Sequence, residues 1–198
     1  MSKRIFPSLI VLPVLALVFS SRMEAAELHV DKTASNRVKF TASYAGQTFE
    51  GSTPKIDGYV FWKSADPEAG RFEGSDLYFE VDLNSLDTGI GLRNRHMRED
   101  HLETDKFPYA SFKGKLVKAA RPGGADFLVN AEGVMRLHGA DKAIAVTGRV
   151  RVDGERYHLS CTFPLDIREF GIEVPSLMGM KVAAVLDMDV DAALVKVK

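Results

Sequence analysis

The sequence predicts an all-β protein of antiparallel strands with one short helical excursion, on three observations. From Asn36 onward apolar side chains recur at every second position, the spacing that places them on one face of a strand. Turn-forming clusters interrupt these runs at hairpin spacing. Only between Ser85 and Lys106 does the period of two disappear, in a stretch dense in charge. Strands joined in this way pack as a sandwich or close into a barrel, and periodicity alone does not choose between the two.

The chain begins with Lys3 and Arg4, then an almost unbroken apolar run from Ile5 to Phe19, then Ser20, Ser21 and Arg22. That order is the one of a secretory signal: a basic start, an apolar stretch and a small-residue cleavage site, here Ala25-Ala26. The run is shorter than the roughly 20 residues a membrane-spanning helix needs, and Pro7 and Pro13 interrupt it. Residues 1–26 are therefore expected to be a cleaved export signal, and residues 27–198 a single domain in the periplasm without stable membrane insertion.

The strands follow in order. Val38, Phe40, Ala42 and Tyr44 alternate with Lys39, Thr41 and Ser43, and Leu77, Phe79, Val81 and Leu83 with Tyr78, Glu80 and Asp82. Ala110, Phe112, Gly114 and Leu116 come next, then Ile144, Val146, Gly148, Val150 and Val152. Tyr157, Leu159, Cys161, Phe163 and Leu165 form another run, and Val182, Ala184, Leu186, Met188 and Val190 the last. The turn signals are Gly46-Gln47, Asp57-Gly58, Arg121-Pro122-Gly123-Gly124, His138-Gly139-Ala140-Asp141 and Asp153-Gly154-Glu155. Asp-Gly suits a tight hairpin, because both residues tolerate positive φ. In the excursion Leu92, His96, Met97 and Leu102 have helical spacing, and Phe107-Pro108 ends it.

Composition excludes more than it selects. The 26 basic and 27 acidic side chains leave a formal charge of -1, which gives no global field for nucleic acid. A lone cysteine, Cys161, excludes an internal disulfide framework and multi-cysteine metal sites. It alternates with Leu159 and Phe163, so an inert thiol on an apolar face is expected rather than a nucleophile. No Gly-x-Ser-x-Gly elbow occurs, and Gly89-Ile90-Gly91 lacks the third glycine of a dinucleotide fingerprint.

His96 and His101 are five apart, which on an α-helix turns the two rings away from each other, so surface or capping roles are expected instead of metal binding. His138, in a turn, is expected to bond local backbone. Arg93, Arg95 and Arg98, with Glu99, Asp100 and Glu103 close behind, read as a solvated, salt-bridged face.

Three ordered blocks carry a resemblance to a known family. The first runs through Leu86-Asp87-Thr88-Gly89, Arg93-Asn94-Arg95-His96-Met97-Arg98, Glu103-Thr104-Asp105-Lys106-Phe107-Pro108 and Ala110-Ser111-Phe112-Lys113-Gly114. The second is Gly133-Val134-Met135-Arg136-Leu137-His138-Gly139, and the third is Asp166-Ile167-Arg168-Glu169-Phe170-Gly171-Ile172 with the closing strand Val182 to Ala192. In these blocks the chain resembles the YceI-like polyisoprenoid-binding proteins. The family commonly carries Arg-Asp-x-His-Leu in the excursion, where Asn94 and Met97 depart from the pattern.

The resemblance implies a lipocalin-like antiparallel β-barrel of about eight strands, enclosing an apolar cavity for an isoprenoid or fatty-acid-type ligand, and a homodimer. Phe40, Phe79, Val81, Phe112, Val146, Leu159, Cys161, Phe163 and Leu186 are the expected lining residues. Arg93 and His96 are expected polar contacts near the mouth, on the resemblance alone. No cofactor, metal, nucleic-acid partner or catalytic group is expected.

Transfer energetics suit such a ligand. Each methylene removed from water contributes about 0.8 kcal/mol, so some twenty carbons give on the order of 15 kcal/mol before ordering costs. The other reading of the residues is a stress-related structural or interaction module whose barrel is packed solid.

Overall fold

The computed structural model describes residues 26–62, 74–122, 126–177 and 179–197. All of the expected export signal except Ala26 lies outside them. The strands are β1 (Ala26–Val30), β2 (Arg37–Tyr44), β3 (Gln47–Thr53), β4 (Ile56–Trp62) and β5 (Asp76–Asp82). The excursion follows, with a 3₁₀ turn at Leu83–Ser85, helix α1 (Gly91–His96) and a π-helical turn at Met97–His101. Then come β6 (Tyr109–Ala120), β7 (Asp126–Leu137), β8 (Ala140–Asp153), β9 (Arg156–Asp166), the two-residue strands β10 (Ser176–Leu177) and β11 (Met180–Lys181), and β12 (Val185–Lys196).

All strand pairings are antiparallel, and the sheet closes on itself. β4, β5, β6, β7, β8, β9 and β12 pair in that order, and β1 joins β12 to β4. β2 continues along the edge of β12 where β1 leaves it, from Arg37↔Asp191 to Thr41↔Asp187. β3 pairs with β2, and a bridge from Ser52 to Asp87 ties it to the chain beyond β5. β1 with β2, and β3 with β4, therefore act as two long, interrupted staves, and the result is a closed eight-stranded barrel. Closure pairs β1 with strands on both edges, while the outer edge of β3 is met at the Ser52–Asp87 bridge.

The interruptions are stitched by side chains. At the first, buried Asn36 accepts from the Ala193 amide and donates to the Asp31 carbonyl, both at 2.9 Å. At the second, where Pro54 cannot donate to the ladder, the Thr53 hydroxyl accepts from the Lys55 amide at 2.9 Å.

Several sequence expectations shift. Asp57-Gly58 is no turn but lies inside β4, where a Cβ on Gly58 would meet the Tyr78 carbonyl oxygen at 2.3 Å. The hairpin turns also move by one residue. Ala45-Gly46 and His138-Gly139 both have positive φ at each position, whereas Asp153 pairs with Arg156, which leaves Gly154-Glu155 as the turn. The last strand begins at Val185, three residues after Val182. No helix among the described residues is long and apolar enough to cross a membrane.

Candidate functional site

Alternation along each strand sends one set of side chains into the barrel, and many of these are small. Ala42, Gly58, Ala110, Gly114, Ala131, Gly133 and Gly148 fall at inward positions. Gly114 and Gly133 are cross-strand partners, and a Cβ on Gly133 would stand 2.4 Å from the Lys113 carbonyl oxygen. The wall is bent too closely there for any side chain. Small inward residues leave space, and the barrel encloses a cavity of about 610 Å³. That lies within the range of roughly 300–1,000 Å³ typical of small-molecule sites.

The nine apolar candidates all line this cavity: Phe40 from β2, Phe79 and Val81 from β5, Phe112 from β6, Val146 from β8, Leu159, Cys161 and Phe163 from β9, and Leu186 from β12. Each points inward and yet is only half-buried. Packed core clusters lie on either side. At one end the Trp62 indole meets the Tyr157 ring edge-on at 5.1 Å, among Leu28, Leu116, Phe127 and Leu194. At the other, Leu83, Leu86, Leu137, Leu165, Ile167 and Phe170 pack together. The half-buried residues between them owe their accessible surface to the lumen.

The excursion forms a lid over the second end. Ile90 and Leu92 contribute to the cavity wall while 52% and 56% exposed, and His96 is also exposed, so the mouth opens beside α1. Arg93 and His96 both line the cavity, and so does His101. The expectation that His96 and His101 point apart fails because α1 runs into a π-helical turn, in which the Leu102 amide donates to the Met97 carbonyl five residues back at 2.8 Å. The wider turn brings His101 round to the lumen, where the sequence reading had assigned it a surface or capping role.

The arginines also depart from expectation. Among the described residues none of Arg93, Arg95 and Arg98 is ion-paired with Glu99, Asp100 or Glu103. Arg93 donates to the Thr88 carbonyl and lies over the Phe49 ring at 4.7 Å, and Arg98 donates to the Leu86 carbonyl at 2.8 Å. Both therefore staple the lid to the chain leaving β5. Asn94 completes that attachment. Its Oδ1 accepts from the Thr88 amide and hydroxyl, at 2.8 and 2.6 Å, and its Nδ2 donates to Asp87 at 2.7 Å.

His138 bonds remote rather than local partners, namely the Phe170 carbonyl at 3.2 Å and Glu103 at 3.1 Å, with its ring edge-on to Phe107 at 5.0 Å. It ties the β7–β8 turn to the end of the lid. Glu103, held by Lys106 first and His138 second, ionises below the usual carboxylate range.

Among the described residues the lining is almost wholly apolar and contains no Asp, Glu or Lys. Burial pushes the Cys161 thiol up to about 11, with Asp189 and Asp191 adding to the shift. Among the described residues no three His, Cys, Asp or Glu side chains come together as a metal cluster would require.

Sequence reasoning missed the contributions of β1, β3, β4 and β7, from which Leu28, Phe49, Val60, Trp62, Val129 and Ala131 reach the cavity. The alternation of Ile56, Val60 and Trp62 was available as a signal, masked by Asp57-Gly58.

The architecture has counterparts among solved structures. The crystal structure of Burkholderia cenocepacia BcnA superposes with a TM-score of 0.67 at 18% identity, covering 83% of this chain and 98% of that one. A polyisoprenoid-binding domain from Saccharophagus degradans, implicated in plant cell wall breakdown, gives 0.62 at 17% identity over 88% and 99%. The Campylobacter jejuni YceI protein gives 0.56 at 15% identity over 75% and 84%. No curated protein matches the sequence. The YceI-like domain model matches residues 28–194, from the first strand of the barrel to the last, and the chain belongs to the YceI-like family.

Proposed function

We propose that this protein is a non-enzymatic carrier or sequestering protein of the periplasm, which holds a polyisoprenoid or other long-chain lipid-like molecule inside its barrel. The observation that carries the reading is the half-burial of inward residues such as Phe79, Phe112, Leu159 and Phe163 around a cavity of about 610 Å³. In a barrel packed solid these side chains would bury one another, as native interiors pack at crystal-like density. A flexible apolar tail supplies the missing contacts, and its transfer from water provides the drive. Family membership and the polyisoprenoid-binding domain of Saccharophagus degradans support the same ligand class. The signal-like order of residues 1–26 supports export.

In this reading Phe40, Val81, Val146, Cys161 and Leu186 form the tail-binding wall, and Arg93 and His96 meet the polar end at the mouth.

Native mass spectrometry of the full chain purified from a cell envelope fraction tests the proposal. A co-purifying isoprenoid or lipid is expected. Protein that arrives ligand-free and also fails to take up added isoprenoids and fatty acids would refute the carrier role.

A further inference from the structure

The guanidinium and imidazole groups of the cavity are gathered at one end, whereas its other polar groups are hydroxyls and a thiol spread along the wall. Arg93, His96 and His101 all belong to the lid, so the strong hydrogen-bond donors gather at the mouth. Among the described residues no carboxylate lines the lumen to neutralise them. Among the described residues Arg93 forms no ion pair; its guanidinium is held by the Thr88 carbonyl and the Phe49 face, neither of which cancels a full charge. Guanidinium stays protonated at any ordinary pH. A cation at the edge of an apolar cavity without a counter-charge is a costly arrangement unless something brings one.

The lid is also under-satisfied in detail. Among the described residues Arg93 Nε, Arg98 Nε and His101 Nδ1 are enclosed without a hydrogen-bond partner. Buried polar atoms are rarely left so, and such exceptions point to a ligand or to an adjustment made on binding.

We infer that the Arg93–His96–His101 side of the lid is a head-group pocket that selects lipids with an anionic head, a phosphate or a carboxylate, over those with a neutral or cationic one. This rests on the lipid-binding reading above and adds the head-group chemistry to it. Arg93 supplies the charge and a planar pair of donors suited to these oxyanions. The histidines add donors of adjustable tautomer. The apolar wall below fits any tail of suitable length, so discrimination lies in the lid.

A tail-matched series separates the two ideas: dodecyl phosphate, dodecanoate, dodecanol and dodecylamine, each titrated calorimetrically into the full chain below its micelle concentration. The two anions are expected to bind at least tenfold tighter than the alcohol, with the amine weakest, and the phosphate and carboxylate arms show which anion is preferred. Arg93→Met should cost the anions at least tenfold more affinity than it costs the alcohol, so that the two converge, and Arg93→Lys should restore part of the preference. Equal binding of anion and amine, or an equal loss for anion and alcohol in Arg93→Met, overturns the head-group pocket while the lipid-binding reading stands. Failure of all four probes overturns both.

Discussion

Cys161 illustrates how position sets the chemistry of a single residue. Its thiol faces the lumen from β9, flanked by Leu159 and Phe163, where a thiolate has little solvation. Its folded-state value of about 11 stands above the ordinary 9.0. The thiolate is the reactive form, so at pH 8 alkylation by iodoacetamide should be far slower than for a free cysteine, rising only as the pH approaches 11. The sign for stability follows from the same shift. A thiol whose value is raised on folding favours the folded state below about pH 9, and that contribution is lost as the pH climbs from 9 to 11. Cys161→Ala should flatten the fall in stability across that window. An alkylation profile with a midpoint at or below 9 would contradict the buried placement.

At the scale of elements, one amide side chain makes three of the hydrogen bonds that attach the lid. Asn94 acts as acceptor toward Thr88 and as donor toward Asp87, a pair of roles that a carboxylate cannot fill. Asp87 ionises below the usual carboxylate range, chiefly because Asn94 donates to it. Asn94→Asp therefore puts two like charges in contact at neutral pH. The raised carboxyl value in the folded variant makes the lid weaker as pH rises and firmer as one group takes up a proton. Hydrogen exchange of lid peptides should be faster in the variant than in the parent at pH 7, and the gap should close at pH 4. An unchanged exchange rate at pH 7 would remove Asn94 from the attachment of the lid.

The elements also differ in how legible they are. β2, β5, β6, β8, β9 and β12 announce themselves by strict alternation, because one face of each meets an apolar interior. β3, with the sequence Gln-Thr-Phe-Glu-Gly-Ser-Thr, has no such face, and β4 hides behind a glycine that serves close approach rather than a turn. The π-helical turn has no sequence signature, so the direction of His101 was out of reach.

At the scale of the whole molecule, the barrel closes through a seam where β1 gives way to β2 along β12. The side chain of Asn36 replaces the ladder there, with its amide 7% exposed and both of its partners on the backbone. Asn36→Ala strands the Ala193 amide, while the Asp31 carbonyl keeps the Ala34 amide as a donor, so the fold should lose about 1–3 kcal/mol for the one group left unpaired. Urea denaturation should show the loss as a lower midpoint at unchanged slope. A midpoint equal to the parent's would place the closure of the barrel elsewhere.

What the sequence by itself determined is the all-β class, the inward set of side chains on six strands, the place of the excursion and, through three ordered blocks, the family. These are local or periodic properties, written in the chain at a spacing of two or in contiguous motifs. Tertiary structure decided that the sheet is a closed barrel and that its interior is hollow, because both depend on which strands meet across the ring. The same alternation serves a filled core and a lumen wall equally. Only the assembled barrel, with glycine and alanine set among large apolar residues, leaves Phe79 and Leu159 half-buried around open space. Only the turn of the lid brings Arg93, His96 and His101 to one mouth. Spacing along a chain fixes the face of a strand; the volume enclosed is a property of all the faces together.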